Sequence, residues 1–218
     1  MKTIAVVLSG SGVFDGSEIH ESVLTLLALA RSGAKYQCFA PDRPQREVVN
    51  HLSGEVMEGE QRNILVESAR IARGEIQPLS ALSMSEFDGV IWPGGFGVAK
   101  NFCDFAVAGS DCKVEEDVLR VAREFVAAGK PSGYLCISPV LLPQIVGEGV
   151  LGTIGTDLGV AEAYNQMGGK HCDCPVDEVV VDEAHKIVSS PAYMLAGDIT
   201  EAAASVESLV AKVLSWCD

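Results

Sequence analysis

Pro131-Ser132-Gly133-Tyr134-Leu135-Cys136-Ile137-Ser138-Pro139 is the stretch on which the fold turns. Ser132 to Leu135 reads as a short apolar strand, about Pro139 to Val146 as the helix after it, and Cys136 falls between them. A side chain at such a strand-to-helix turn projects above the sheet, where a nucleophile is wanted. The following helix N-terminus favours thiolate over thiol, lowering a pKa that is otherwise about 8.5. The backbone N–H of Ile137 would then point where an oxyanion forms. A buried core cysteine is the competing reading, a common fate for this residue. The flanks are not those of a glycine-framed elbow, since the nearest glycine before Cys136 is Gly133 and Ser138 takes the second position after it.

Working outward, apolar β-branched runs alternate with helical periodicities. Thr3 to Leu8 and Tyr36 to Ala40 read as buried parallel strands, with weaker runs at Ile76 to Leu79, Phe87 to Trp92 and Leu151 to Ile154. Glu18 to Arg31 has helical spacing, with Ile19, Val23, Leu26, Leu27 and Ala30 expected on one buried face. Asn63 to Arg73, Val114 to Ala128 and Ile199 to Trp216 are further helices, and a short helix plus an insertion fills residues 96 to 113. Val176 to Val181 and Lys186 to Ser190 flank a polar turn as a small β-hairpin. Residues 42 to 60 are irregular. The alternation implies an α/β three-layer sandwich, a mostly parallel sheet with helices on both faces. With no linker, repeat or low-complexity segment, the 218 residues read as one domain.

Ligands of such sheets bind beyond the carboxyl ends of the strands. Three features fall there: the Gly16–Glu18 loop, Pro93-Gly94-Gly95 and Cys136. Glu18 could face Cys136, hold a proton beside a thiolate and pass it to substrate. It also fits a capping box with Asp15 as N-cap and Glu18 reaching back. Gly95 allows a backbone N–H to approach a ligand closely, or simply makes a tight turn. His20 is a candidate neighbour of the site or an ordinary first-turn polar residue.

The formal net charge of −14 argues against nucleic-acid partners, which need cations to displace counterions, and against anionic membrane surfaces. Seven irregularly spaced cysteines form no disulfide framework, and no apolar run suits a signal peptide or a bilayer span. A cytosolic, reduced protein is the expectation. His171-Cys172-Asp173-Cys174 lacks the second ligand pair of a zinc site, so no metal is expected. Gly10-Ser-Gly-Val-Phe-Asp-Gly16 with Asp42 suggests a dinucleotide turn, but Glu18 in the first helical turn would repel the pyrophosphate.

LSGSGVFDGSEIHE (8–21), FAPD (39–42), PGGFGVAKN (93–101), GYLCISP (133–139), TIGTD (153–157) and SPAYML (190–195) together run nearly the length of the chain. By these stretches it resembles the ElbB (enhancing lycopene biosynthesis) family, in the PfpI branch of the class I glutamine-amidotransferase-like superfamily. The resemblance implies a flavodoxin-like sheet, a nucleophile elbow at Cys136, a partner carboxyl at Glu18 and a homodimer. It further implies a glutathione-independent, cofactor-free glyoxalase of the lyase type, associated with isoprenoid biosynthesis. Two departures narrow this. Proteolytic members of the branch carry His directly after the nucleophile, where this chain has Ile137. Glutamine amidotransferases carry a His-x-Glu pair, and neither His171 nor His185 begins one. The expected chemistry is a Cys136 hemithioacetal with a small dicarbonyl, its oxyanion held near Gly95 and Ile137 and its proton moved by Glu18. The rival is a redox or carbonyl-stress sensor in which Cys136 is modified without turnover.

Overall fold

Six strands lie parallel, and the central ones, apolar on both faces, need a helix on either side. The computed structural model describes residues 1–217. In chain order these contain β1 (Thr3–Val7), α1 (Ile19–Arg31), β2 (Lys35–Ala40), α2 (Ile64–Ile71), β3 (Ile76–Pro78) and β4 (Gly89–Trp92). Next come the one-turn α3 (Phe105–Ala108), α4 (Glu116–Ala127), β5 (Ser132–Leu135) and the one-turn α5 (Leu142–Ile145). The chain finishes with β6 (Leu151–Gly152), α6 (Leu158–Gln166), β7 (Lys170–His171), β8 (Val180–Asp182), β9 (Ile187–Ser190) and α7 (Ile199–Trp216).

The seven-stranded sheet has the order β3-β2-β1-β4-β5-β9-β8. All its pairings are parallel except the hairpin pair β8–β9, in which β9 also pairs in parallel with β5. The α/β three-layer, flavodoxin-like expectation therefore holds. Alternation along β1 divides the core. Ala5 and Val7 join Trp92, Tyr134, Val118 and Phe125 on one face, while Ile4 and Val6 join Leu29, Leu209 and Val213 on the other. β6 and β7 form a separate two-stranded sheet, so the run Leu151 to Ile154 is shorter than expected and lies outside the main sheet. Neither β7 nor α6 was legible in the sequence.

α1 begins one residue later than expected, with Glu18 as its cap, ends at Arg31 as expected, and turns a different face inward. Ile19, Val23 and Leu27 are 43%, 47% and 40% exposed, and Glu21, Ser22, Thr25, Ala28 and Leu29 are buried. The reason lies in small side chains with internal partners. The Ser22 hydroxyl donates to the Glu18 carbonyl and the Thr25 hydroxyl to the Glu21 carbonyl, each at 2.7 Å. Both therefore bury without an unmet polar group, and the helix sits close on α7. The expected Asp15 cap is also displaced. Glu18 itself is the N-cap, accepting from the Glu21 N–H, and the Asp15 carboxylate accepts from the Val49 N–H at 2.7 Å.

Candidate active site

Cys136 closes β5 with φ of 59°, a left-handed conformation that costs an L-residue energy and persists only where its surroundings fix it. Two bonds fix it here. The Cys136 N–H donates to the Ser190 carbonyl at the end of β9, at 2.9 Å, and the Ser138 hydroxyl donates to the Trp92 carbonyl at the end of β4, also at 2.9 Å. The chain then continues into a 3-10 turn, Ser138–Leu141, rather than directly into an α-helix. The turn leaves no room for a side chain at Gly94, where a Cβ would stand 2.4 Å from the Cys136 Cβ and 2.8 Å from Glu21 Oε2. Gly95, at φ of +98°, is pinned in turn by the backbone of Gly16 to Glu18, 2.3 Å from where its Cβ would lie.

The carboxyl in contact with Cys136 is that of Glu21. Its side chain is fully buried and hydrogen-bonds the thiol. Glu21 Oε2 accepts from the Gly94 N–H at 2.9 Å and Oε1 from the Tyr193 N–H at 3.1 Å. Burial, and next the charge of Glu18, push its pKa up to about 7, against the opposing effect of those two N–H groups and of Cys136. Cys136 is raised well above an ordinary thiol, chiefly by burial and then by the Glu21 charge, although the Gly95 and Ile137 N–H groups donate to its sulfur. The expected resting thiolate is therefore corrected: the sulfur is buried and faces a carboxylate, two effects that a single helix terminus does not offset, so it rests as a thiol.

Glu18 stands on the wall of the same site. Its carboxylate accepts from the Glu21 N–H at 2.7 Å, and its own N–H donates to the Gly94 carbonyl at 2.9 Å. Capping and a place at the site thus coexist in one residue. His20 is exposed and does not reach the cavity, but its Nδ1 lies 2.8 Å from the Tyr193 hydroxyl, and Tyr193 lines it. The cavity above Cys136 measures about 340 Å³ and is also walled by Val13, Phe96, Ala99, Phe105, Ala106, Ile137, Val160 and Met194. Much of that wall comes from the stretch after Gly95, where Val98–Phe102 winds as a π-helix, a distortion often found at functional sites. Glu21, Tyr193 and this apolar wall were missed in the sequence. The spacing of Glu18 and Glu21, three apart on one helix face, was the available signal for the first of them.

Other candidates lie elsewhere. The N–H groups of Ser9, Gly10, Gly12 and Gly16 donate to Ser17, Ser68 and the loop's own carbonyls, so these amides are already engaged and do not point at a pyrophosphate. His171 Nε2 accepts from the Ile154 N–H at 3.2 Å, and among the described residues no group of three His, Cys, Asp or Glu side chains is arranged to hold a metal. No helix among them is long and apolar enough to cross a membrane.

No family model matches the chain. It is 47% identical to the human glutamine amidotransferase-like class 1 domain-containing protein 3, mitochondrial, over 97% of this chain and 82% of that protein. It is 36% identical to the ES1 protein, mitochondrial, of Danio rerio, over 88% of this chain and 76% of that one. Among solved structures it superposes with a TM-score of 0.92 on an isoprenoid biosynthesis protein with amidotransferase-like domain from Ehrlichia chaffeensis, at 38% identity and 99% of both chains. A DJ-1 superfamily protein from Salmonella typhimurium shares the fold, with a TM-score of 0.59 at 21% identity over 99% of this chain and 91% of that one. The cytosolic expectation is overturned here, because the curated relatives from human, rat and zebrafish are all named mitochondrial. Reduced cysteines bear on export, and do not choose among reducing compartments.

Proposed function

Because the chain belongs to the family of glutamine amidotransferase-like class 1 domain proteins that includes the ES1 proteins, we propose that it is a cofactor-independent glyoxalase, converting glyoxal or a similar small dicarbonyl to the hydroxy acid. One observation carries the reading: a thiol on a strained elbow, hydrogen-bonded to a buried carboxyl of pKa about 7, at the base of a partly enclosed cavity. A base whose pKa sits near the working pH is best placed to take a proton as a bond forms.

In this scheme Glu21 takes the Cys136 proton as sulfur adds to one aldehyde carbon, giving a hemithioacetal. The Gly95 and Ile137 N–H groups, which face the sulfur, are at hand for the developing oxyanion. Glu18 removes the proton from the thiol-bearing carbon and returns it to the neighbouring carbon through an enediol, which leaves a thioester. Water hydrolyses that thioester to the hydroxy acid and regenerates the thiol. One water is consumed, and no external oxidant or reductant enters. Tyr193, bonded to His20, borders the reacting groups and helps place the second carbonyl.

The burial of Cys136 and the upward shift of its thiol favour turnover over sensing, since oxidation-prone cysteines are exposed and of low pKa. The departure at Ile137, which offers no imidazole beside the nucleophile, weighs against peptidase chemistry. An association with isoprenoid biosynthesis is proposed from the description of the Ehrlichia protein. The chain is further proposed to act as one domain and as a homodimer, for which the outward stripe of Ile19, Val23 and Leu27 on α1 offers a surface. Chromatographic measurement of glycolate from glyoxal, with wild type and Cys136→Ala side by side, tests the reading. An unchanged rate in the variant would sink it.

A further inference from the structure

We propose that the Cys136 cavity selects 2-oxoaldehydes bearing an apolar substituent, aryl or branched alkyl, over glyoxal itself. This deepens the proposed glyoxalase reading and rests on it. The size of the cavity is the first argument. Its 340 Å³ would hold about eleven waters at about 30 Å³ each, whereas glyoxal has four heavy atoms. A volume of that order is what a ligand of ring size or larger needs to be mostly enclosed.

The distribution of polarity is the second. The polar groups gather around Glu21: Glu18 accepts its N–H, Cys136 shares its carboxyl hydrogen bond, and the Tyr193 N–H donates to its Oε1. At that end the cavity wall carries the Cys136 sulfur with the Gly95 and Ile137 N–H groups facing it, and the Glu18 and Tyr193 side chains, the polar groups that a dicarbonyl would meet. The remaining wall, with Phe96, Phe105, Ala106, Val160 and Met194, offers only apolar side chains. A bare dialdehyde would leave that wall against water, and an apolar substituent on the second carbonyl would cover it. The chemistry is unchanged by the substituent. Sulfur adds to the aldehyde carbon, its hydrogen moves to the ketone carbon, and water releases the 2-hydroxy acid, so phenylglyoxal plus one water gives mandelate.

The test is kcat/KM across glyoxal, methylglyoxal, longer alkylglyoxals and phenylglyoxal, read as hydroxy acid formed. The expected result is a rise of about fourfold per added methylene until the cavity is full, with phenylglyoxal well above glyoxal. Ala106→Phe and Val160→Phe, which fill the apolar end, should lower the phenylglyoxal-to-glyoxal ratio at least about tenfold. Turnover of glyoxal with a flat or falling series would overturn the proposed selectivity and leave the glyoxalase reading standing. Turnover of no aldehyde would sink the glyoxalase reading. In that event calorimetric titration of Cys136→Ala with mandelate and with glycolate still decides the cavity's preference: tighter mandelate supports it, and equal or weaker mandelate overturns it.

Discussion

Replacing Glu21 by Gln should remove a pH dependence that the buried carboxyl builds into folding. In the folded chain Glu21 has a pKa of about 7, raised first by burial and then by Glu18, against 4.5 for the ordinary group. The folded state thus keeps a proton that the unfolded chain gives up, and stability falls as pH rises between those two values. The Glu21 contribution is fully present below about pH 4.5 and is lost as pH passes through 7. At about 1.36 kcal/mol per pKa unit the loss is ~3 kcal/mol. Gln at this position also turns an amide NH₂ toward either the Gly94 or the Tyr193 N–H, a cost of about 1–3 kcal/mol. That cost is the same at every pH, so it offsets the two curves without changing their difference in slope. Urea unfolding of wild type and Glu21→Gln from pH 4.5 to 8, followed by tryptophan fluorescence, reads the quantity directly. Wild type should lose ~3 kcal/mol relative to the variant across that range. A difference that stays flat, or grows with pH, would show that Glu21 is ionised in the folded protein and would refute the reasoning.

Further expectations follow from the same geometry. Gly94→Ala sets a Cβ 2.4 Å from the Cys136 Cβ and 2.9 Å from the Leu135 carbonyl, so it should destabilise by about 3 kcal/mol or more, or displace the elbow; a wild-type melting curve would contradict this. Because Cys136 is raised well above an ordinary thiol, its alkylation by iodoacetamide should remain slow at pH 8 to 9. Glu21→Gln removes the facing charge and should accelerate it, as peptide-resolved mass spectrometry would report; prompt labelling of wild type at pH 7 would contradict the buried thiol.

The elements legible in the sequence are those whose pattern and boundary signals agree. β5 runs from Ser132 to Leu135 as expected because it is a central strand covered on both faces. α7 keeps its expected bounds, Ile199–Trp216, because Asp198 caps it with bonds to the Thr200 and Glu201 N–H groups and one apolar face packs on the sheet. α6 escaped notice because its pattern is nearly silent: Leu158 is 85% exposed and Tyr164 is its one buried residue. α1 misled in another way. Its most hydrophobic stripe faces outward, and the buried stripe of Glu21, Ser22 and Thr25 looks like a solvent face until the hydroxyl-to-carbonyl bonds are seen. That inversion is also why Glu18 was legible as a site residue and Glu21 was not. The close approach at the glycines after β4 is to Cys136 and to the backbone of Gly16 to Glu18, and the apolar wall beyond them follows a π-helix whose periodicity matches neither a helix nor a strand template.

The reactive cysteine is the centre of the account, and its most direct test is product formation. Purified wild type incubated with [13C]glyoxal and followed by NMR should produce glycolate, while Cys136→Ala should lose the activity by at least about a thousandfold, the scale expected when a nucleophile that acts with its base is removed. Glycolate formed by Cys136→Ala at the wild-type rate would contradict the account.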